Sequence, residues 1–541
     1  MARQLTTFSK LIITLLILAL IFFGGRYLLQ QTGVLDKIKA DQADKVELEG
    51  EEKGGGLLGS GKDKGKNNQN SKADRGGSDD DDALNVQIVT WGGFAPGLYF
   101  NEGLKHSEYS RFWKEYGIKV NFILMDDMVS SWQAWKSDRI DMRANTFDGM
   151  LLEYEGMTED EPVVVLQTDW SRGGDVLVAR RGITSVNDLR GKKVVLTPLT
   201  PSQTFFMMAL NAAGMTLDDV TIIEATDNPT AAAIFKAGSA DAAVVWSPAH
   251  FEILETVKGS SILQSTKDAA YALAGILYAK EDFVSENQDK VQKFYEGWMK
   301  ASAELTNEAN QVKAAKIMGE TYDMPPDDAM GMMYDAYLAT HGDNMSFFNL
   351  RDDGAYKGQQ LYDNVNRLFT KEGIIKKPFP PFRQLVASAS ASRTTALTGS
   401  AYDGERSKNF KAPTTEDKKA PAISTKPVTI NFATGVSSLG SNAKTIIDLE
   451  FAAVLKTYAN SRIRIEGNTD NVGARDMNMR LSQARAKAVA DYLVAEYNVD
   501  RDRIITVGNG PDEPVAGCEG NSSESCKARN RRTEFQLIAA Q

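Results

Sequence analysis

Histidine and cysteine are scarce in this chain of 541 residues, and its net charge is negative. The three histidines, His106, His250 and His341, are far apart and have no cysteine nearby, which argues against a zinc site. The formal net charge of -10 argues against nucleic acid as a partner, because proteins that bind phosphate backbones present a basic face. No nucleophile–base set is recognisable either, so we expect neither catalysis nor a cofactor.

The N-terminal segment contains an apolar run, Leu11 to Gly25, flanked by Lys10 and Arg26. A membrane-spanning helix needs about 20 residues, and these two basic side chains can reach the headgroups and lengthen the span to residues 8–29. We expect an uncleaved inner-membrane anchor with a cytoplasmic N-terminus and the bulk of the chain in the periplasm; a cleaved signal peptide is the alternative. The run has no carboxylate, which an ion-driven stator helix would require.

Two stretches of biased composition divide the rest of the chain. Residues 50–84 are rich in Gly, Lys, Asn, Ser and Asp, and residues 387–426 are rich in Ser, Ala, Thr, Lys and Pro. Such compositions are typical of flexible linkers. Two folded regions remain, 85–386 and 427–541, in agreement with the two or three domains expected for this length.

The C-terminal region predicts a βαβαββ order of elements. Apolar residues alternate in a first strand at 428–432, and Ile447, Phe451 and Val454 share one face of a helix. The expected elements are strands at 428–432, 462–466, 503–507 and 533–538 and helices at 442–458 and 478–496. This order indicates an α+β sandwich.

Several motifs in this region resemble the signature of OmpA-like peptidoglycan-binding domains. They are 467–473 (Gly-Asn-Thr-Asp-Asn-Val-Gly), Asn478, Leu481-Ser482, Arg485-Ala486 and 530–534 (Asn-Arg-Arg-Thr-Glu). The resemblance implies a pocket for the diaminopimelate of the peptidoglycan stem peptide, in which Asp470 meets the ammonium group and Arg485 the carboxylate. Arginine suits that role because its guanidinium binds a carboxylate through two hydrogen bonds. Asn478 is expected to add a donor and Arg531 to lie near the same site.

Two alternatives stay open for this module. Asp470 and Arg485 can instead form a surface salt bridge that holds a loop to a helix, and the role of Arg531 can be structural. The two cysteines, Cys518 and Cys526, are eight positions apart. Because the resemblance places the module in a bacterial cell envelope, we expect them to form a disulfide in the oxidising periplasm.

The central region, 85–386, alternates strands with helical segments. This order predicts an α/β protein with mainly parallel sheets, and its length favours two lobes over one core. The expected strands are 86–90, 119–124, 163–166, 175–179, 193–196, 221–224 and 242–246.

Motifs of this region resemble ABC-transporter periplasmic substrate-binding proteins of the nitrate/sulfonate/taurine (SsuA-like) group. They are 90–93 (Thr-Trp-Gly-Gly), 132–135 (Trp-Gln-Ala-Trp), 138–141 (Asp-Arg-Ile-Asp), 169–175 (Asp-Trp-Ser-Arg-Gly-Gly-Asp), 187–192 (Asn-Asp-Leu-Arg-Gly-Lys) and 242–248 (Ala-Ala-Val-Val-Trp-Ser-Pro). The resemblance implies a two-lobed domain that holds a small polar or anionic solute between its lobes, at the carboxyl ends of strands.

Ten residues are candidates for contact with this solute. Thr200, Ser202 and Thr204 open a helix after a buried strand, where hydroxyls and free N–H groups suit a polar or anionic ligand; simple capping of the helix is the alternative. Trp91 and Trp246 are expected either to stack on the ligand or to pack the lobes together. The remaining candidates are Thr146, Asp148, Arg172, Asp175 and Ser247.

The charged candidates leave the sign of the ligand open. Arg172 is expected to pair with a ligand anion or with Asp169. Asp148 and Asp175 fit poorly with a purely anionic ligand, and they indicate either a ligand with an amino group or hydrogen bonds across the hinge.

These patterns predict an inner-membrane-anchored periplasmic protein that binds peptidoglycan and a small solute, for sensing within an envelope complex or for delivery to a membrane transporter. The alternative is a structural wall tether whose central domain is a protein-interaction scaffold without a small ligand. An enzyme with a binding-protein fold is the least favoured hypothesis.

Overall fold

A computed structural model describes residues 82–351, 356–406, 409–430, 432 and 436–539 of the chain. The expected anchor, 8–29, lies outside the described residues, as does the expected linker 50–84 up to residue 81. Within the described ranges, no helix is long and apolar enough to cross a membrane.

The strands, in chain order, are β1 Leu84–Ile88, β2 Val120–Leu124, β3 Met142–Thr146, β4 Pro162–Ser171, β5 Asp175–Ala179, β6 Lys193–Leu196, β7 Thr221–Glu224, β8 Ala242–Trp246, β9 Ser261–Ser265, β10 Ala274–Lys280, β11 Ala336–Leu338, β12 Ala422–Val428, β13 Arg462–Asn468, β14 Ile504–Gly510 and β15 Thr533–Ile538. The α-helices are α1 Ala95–Asn101, α2 Arg111–Tyr116, α3 Met128–Lys136, α4 Phe147–Glu153, α5 Pro201–Ala212, α6 Asn228–Lys236, α7 Ala249–Thr256, α8 Glu281–Glu286, α9 Gln288–Glu304, α10 Glu308–Tyr322, α11 Pro326–Tyr334, α12 His341–Phe347, α13 Lys357–Lys371, α14 Ala389–Arg393, α15 Thr415–Lys419, α16 Ser441–Thr457, α17 Arg475–Tyr497 and α18 Glu524–Asn530.

The central domain has two lobes, as expected. The first lobe is built on a six-stranded sheet in the order β11-β4-β10-β3-β1-β2, and the second on a five-stranded sheet in the order β7-β6-β8-β5-β9. The chain crosses between the lobes from β4 to β5 and again from β9 to β10. All ten residues of β4 are buried, which is typical of a strand covered on both faces.

Both sheets are mixed, so the expectation of mainly parallel sheets is wrong. β1 pairs in parallel with β2 and β3, but β10 is antiparallel to β3 and β4. In the second lobe, β6 is parallel to β7 and β8, whereas β5 is antiparallel to β8 and β9. Strands β5 and β10 each enter their sheet from the opposite lobe, and each runs antiparallel to both of its neighbours.

The C-terminal domain has the expected βαβαββ order with one additional short helix, α18. Its four-stranded sheet has the order β12-β15-β13-β14. The first strand, Ala422–Val428, ends where the expected strand 428–432 was to begin, so that position was wrong; its register pairs Ala422 with Ile538 and Val428 with Thr533. Helices α16 and α17 cover the sheet through buried apolar residues such as Ile447, Phe451 and Val489.

The segment 387–426 differs from the flexible linker that its composition predicts. It contains α14, α15 and most of β12. Glu405 accepts hydrogen bonds from both terminal nitrogens of Arg172 at 2.7 Å, and Thr340 Oγ1 donates to the backbone oxygen of Asp403 at 2.9 Å. Polar contacts with the central domain therefore hold a stretch that has little apolar surface of its own.

The C-terminal domain packs against both ends of the second crossing of the central domain. Asn187 of the second lobe exchanges two hydrogen bonds with the backbone of Thr425, at 2.8 and 2.9 Å. Tyr458 donates to Gln264 of β9 at 3.0 Å, and the backbone N–H of Tyr271 donates to Thr457 at 3.2 Å.

Candidate functional sites

The four residues proposed for the C-terminal pocket lie together at one end of that domain's sheet. Asp470 follows β13, Asn478 and Arg485 are on α17, and Arg531 precedes β15. Asn478 Nδ2 donates to the backbone oxygen of Val472 at 3.0 Å, which fixes the loop that carries Asp470. The sequence motif therefore corresponds to one structural site.

Two guanidinium groups share one buried carboxylate in this pocket. Arg531 Nη1 donates to Asp470 Oδ2 at 2.6 Å. Arg485 donates to the backbone oxygen of Val436 at 3.2 Å, and its guanidinium carbon lies 4.7 Å from the centre of the Phe432 ring. Burial, followed by the positive charge of Arg531, lowers the pKa of Arg485. A guanidinium group suits a ligand carboxylate.

Two polar groups beside Asp470 were not among the predicted site residues. Thr469 Oγ1 and Asn468 Nδ2 are buried and have no hydrogen-bond partner. Both belong to the motif 467–473, so its pattern could have identified them. Buried polar groups are normally hydrogen-bonded, so these two are exceptions.

Cys518 and Cys526 form the expected disulfide, with their Cα atoms 5.1 Å apart. Cys526 is in α18, and Asn530 of the same helix donates to the backbone oxygen of Cys518 and to Asn521, both at 3.0 Å. The disulfide and these two buried hydrogen bonds fix the loop that leads to Arg531.

In the central domain, Trp91 and Asp169 lie together beside the crossing from β4 to β5. Trp91 Nε1 donates to Asp169 Oδ1 at 3.1 Å, and Thr168 Oγ1 donates to Asp169 Oδ2 at 2.7 Å. A Cβ atom at Gly93 would stand 2.0 Å from Asp169 Oδ2, and one at Gly174 would stand 2.2 Å from the Trp91 ring. The glycines of two sequence motifs therefore make room for this carboxylate and this indole.

Asp148 lies on the first lobe and approaches the second. Thr146 caps α4 by accepting a hydrogen bond from Gly149 N at 3.3 Å, and Asp148 follows in the first turn. Burial raises the pKa of Asp148, while the nearby hydroxyls of Thr204 and Thr146 lower it. Neither hydroxyl makes a hydrogen bond of good geometry, and both carboxylate oxygens are buried without a partner.

The start of α5 supplies the second lobe's polar groups. Thr200 does not cap the helix with its side chain; its hydroxyl donates to the backbone oxygen of Thr197 at 2.6 Å. The hydroxyls of Thr197, Ser202 and Thr204 are buried without a hydrogen-bond partner. The capping alternative is therefore not observed, and these hydroxyls remain available for a ligand.

Asp175, Trp246 and Ser247 meet where the lobes join. Asp175 begins β5 directly opposite Trp246 in β8, and Ser171 Oγ donates to Asp175 Oδ2 at 2.8 Å. Ser247 Oγ donates to Asp335 Oδ2 at 2.6 Å. Asp335 precedes β11 in the first lobe, so this hydrogen bond joins the two lobes.

Four carboxyl groups thus occupy the cleft: Asp148, Asp169, Asp175 and Asp335. Burial raises the pKa of Asp175 to about 7, and the charges of the other three carboxyl groups contribute to that increase. Burial likewise raises the pKa of Asp169 to about 6 and raises that of Asp335. Asp169 and Asp335 were not predicted as site residues. Asp169 was visible in a motif, whereas no local pattern marked Asp335.

Arg172, expected to pair with a ligand anion or with Asp169, instead binds Glu405. Its Nε also donates to the backbone oxygen of Ala270 at 2.9 Å, and its guanidinium carbon lies 5.0 Å from the centre of the Tyr271 ring. Glu405 lies outside the central region, 85–386, to which the predicted site residues belong. This pairing was therefore not predicted. Arg172 therefore contributes no free positive charge to the cleft.

Two family models match separate parts of the chain. Residues 107–311 match the NMT1/THI5 like family, and residues 431–531 match the OmpA family. The periplasmic aliphatic sulphonate binding protein SsuA from Escherichia coli is similar in structure, with a TM-score of 0.45 and 17% identity over 58% of this chain and 99% of that one.

Curated relatives are similar over a shorter part of the chain. The probable lipoprotein YiaD of Escherichia coli (strain K12) is 46% identical over 16% of this chain and 37% of its own length. The peptidoglycan-binding protein ArfA of Mycobacterium tuberculosis is 39% identical over 20% of this chain and 33% of its own length. The peptidoglycan-associated lipoprotein of Rhizobium meliloti is 38% identical over 20% of this chain and 60% of its own length. The chain thus spans less than two thirds of these relatives. The chain is thus similar to the NMT1/THI5 like family in its central part and to the OmpA family in its C-terminal part.

Proposed function

We propose that this chain is a bacterial envelope protein that binds peptidoglycan through its C-terminal domain and a small solute in the cleft of its central domain. The observation that carries the proposal is a set of unpartnered polar groups where the two lobes meet. Both lobes contribute buried polar groups without hydrogen-bond partners, namely Asp148 on one side and Ser202 and Thr204 on the other. Folded proteins rarely leave such groups unsatisfied, so a ligand that pairs with them supplies a physical reason for their presence.

Peptidoglycan binding is supported by the charge of the C-terminal pocket. Asp470 offers a carboxylate for an ammonium group, and Arg485 offers a guanidinium for a carboxylate, as the zwitterionic end of diaminopimelate requires. The relatives ArfA and the peptidoglycan-associated lipoprotein carry this role in their names. Their envelope association also supports a periplasmic location, to which we add an inner-membrane anchor at residues 8–29 as part of the proposal.

Sensing is favoured over delivery by the contacts between the domains. Asn187 and Gln264 of the second lobe bind the C-terminal domain, as does Tyr271 at the crossing to the first lobe. A movement of the lobes around a solute would therefore strain contacts with the wall-binding domain. That arrangement suits a protein that reports a solute to a partner in the envelope, without any catalytic step.

Cosedimentation of the full-length chain with purified peptidoglycan tests the wall-binding part. The wild-type chain should pellet with the sacculi, and Arg485→Ala should remain in the supernatant because the ligand carboxylate loses its partner. Arg480→Ala is a matched control, since Arg480 is exposed on the same helix. Equal pelleting of Arg485→Ala and the control would contradict the assignment.

A thermal-shift screen of the full-length chain against small anions, sulfonates, amino acids and amines tests the solute-binding part. A ligand at a hundred times its dissociation constant adds about 2.7 kcal/mol to stability, which raises the unfolding midpoint by several degrees. A silent screen would favour the alternative, in which the central domain is a scaffold for a protein partner.

A further inference from the structure

We propose that the ligand of the central cleft is a small organic cation with an ammonium group, bound by Asp148 and the carboxyl groups around it; this inference rests on the proposed solute-binding function. The first argument is charge. Asp148, Asp169, Asp175 and Asp335 come from both lobes, and within the described part of the chain none of them forms an ion pair. A ligand anion would oppose ionisation of these buried carboxyl groups, whereas a cation stabilises their charged form.

The second argument is that Asp148 has no hydrogen-bond partner while the other three carboxyl groups each have a donor. Trp91 donates to Asp169, Ser171 to Asp175 and Ser247 to Asp335. Asp148 is 0% exposed, and both of its oxygens are unpartnered. An ammonium group supplies N–H donors and the compensating charge at the same position.

The hydroxyls across the cleft fit the same head group. Thr204 lies close enough to Asp148 to lower its pKa, and the hydroxyls of Thr204 and Ser202 are fully buried without partners. A hydroxyl oxygen can accept a hydrogen bond from an ammonium group that Asp148 also binds. The two lobes would then hold one cation between them.

An organic cation fits better than a metal ion. Among the residues that the structure describes, no group of three or more His, Cys, Asp or Glu side chains is arranged to hold a metal. Two half-buried indoles accompany these carboxyl groups instead, since Trp91 donates to Asp169 and Trp246 lies opposite Asp175 in the sheet. Indole faces attract alkylammonium groups through cation–π interactions.

The test is isothermal titration of the full-length chain with choline, ethanolammonium and putrescine, and with propanesulfonate as a ligand of opposite charge. At least one ammonium compound should bind, and Asp148→Asn should weaken that binding on the order of 100-fold, because a buried charge pair loses one partner. Thr204→Val should weaken it less, by about 10-fold, because it removes one hydrogen-bonding group. Asp218→Asn, at an exposed aspartate of the second lobe, should leave the affinity unchanged.

The remaining outcomes separate this inference from the function on which it rests. Binding of propanesulfonate that survives or improves in Asp148→Asn would overturn the cationic ligand and leave solute binding intact. Binding of no compound by the wild-type chain or by Asp148→Asn would overturn both. Asp148→Asn removes a buried negative charge, so its unfolding midpoint should not fall; if it does not fold, the comparison of Thr204→Val with Asp218→Asn decides.

Discussion

The C-terminal pocket and the central cleft each place an aspartate in an opposite electrostatic environment. In the pocket, Asp470 is bound by Arg531 at 2.6 Å and lies close enough to Arg485 to affect its pKa. In the cleft, Asp148 has neither an ion pair nor a hydrogen bond, and Asp175 beside it has its pKa raised to about 7. Both are carboxylates at a domain's candidate binding site, yet only one of them has its charge balanced by the protein.

This difference indicates what each site requires from its ligand. In the C-terminal pocket, Arg531 pairs with Asp470 without a ligand, and the neighbouring guanidinium of Arg485 suits a ligand carboxylate. A buried cluster of unpaired carboxyl groups favours protonation until a cation arrives. The sign of the charge on the ligand can therefore be inferred from each site, even where the sequence motif indicates only that a site exists.

The largest expected effect comes from making the same aspartate-to-asparagine substitution at each of the two sites. Asp470→Asn should reduce cosedimentation with peptidoglycan on the order of 100-fold, because the ligand ammonium loses its charged partner. Asp148→Asn should leave cosedimentation unchanged, since the cleft is a separate site. Asp476→Asn, at an exposed position of α17, is the control. Loss of wall binding in Asp148→Asn would show that the two sites are not independent.

A second prediction concerns a largely buried carboxylate whose charge is paired with that of an arginine. Glu405 binds Arg172, and the two side chains are 19% and 12% exposed. Glu405→Ala should lower the free energy of unfolding by about 3 kcal/mol, because a buried guanidinium is left without its partner. Denaturant unfolding monitored by tryptophan fluorescence would measure it, with Glu416→Ala, at an exposed position of the same segment, as the control. An equal effect of both variants would mean that the segment 387–426 is not held by this ion pair.

The third prediction is a pH dependence that arises from the cleft. The pKa of Asp175 is about 7 in the folded chain and about 3.8 when unperturbed, so between these values the folded state binds a proton that the unfolded state has lost. Stability should therefore be highest below pH 4 for this group and fall as the pH rises towards 7, by about 2 kcal/mol between pH 5 and 7. Asp175→Asn should remove this part of the pH dependence in thermal unfolding. A wild-type profile with the same slope as the variant would contradict it.

Most of the fold could be predicted from local sequence patterns. The seven strands expected in the central domain are all present, because each is a short apolar run bounded by turn residues. Strands β3, β9, β10 and β11 were missed; β3, for instance, reads Met-Arg-Ala-Asn-Thr and lacks an apolar pattern. The mixed direction of the sheets was also missed, because it depends on where the chain crosses between lobes and not on any single strand.

The C-terminal pocket was predicted more completely than the cleft, for a similar reason. The wall pocket comes from motifs whose residues are brought together by one strand, one helix and their connecting loop. The cleft depends on distant segments: Asp335 lies 160 positions after Asp175, and Glu405 removes Arg172 from the ligand's reach. Pairing between such distant residues leaves no local pattern, so the charge of the cleft could be determined only in the folded chain.

The smallest expected effect concerns the ion pair of the wall pocket. Arg531→Ala should change the free energy of unfolding by only about 0.5 kcal/mol, because the Arg531 side chain is 43% exposed and such pairs are screened by water. Asp470 also keeps a hydrogen bond from Val472 N at 3.1 Å. Chemical denaturation of Arg531→Ala beside Glu405→Ala would measure the contrast. A loss as large as that in Glu405→Ala would mean that Arg531 supports the fold, whereas a small loss with weaker wall binding would place its main role at the ligand.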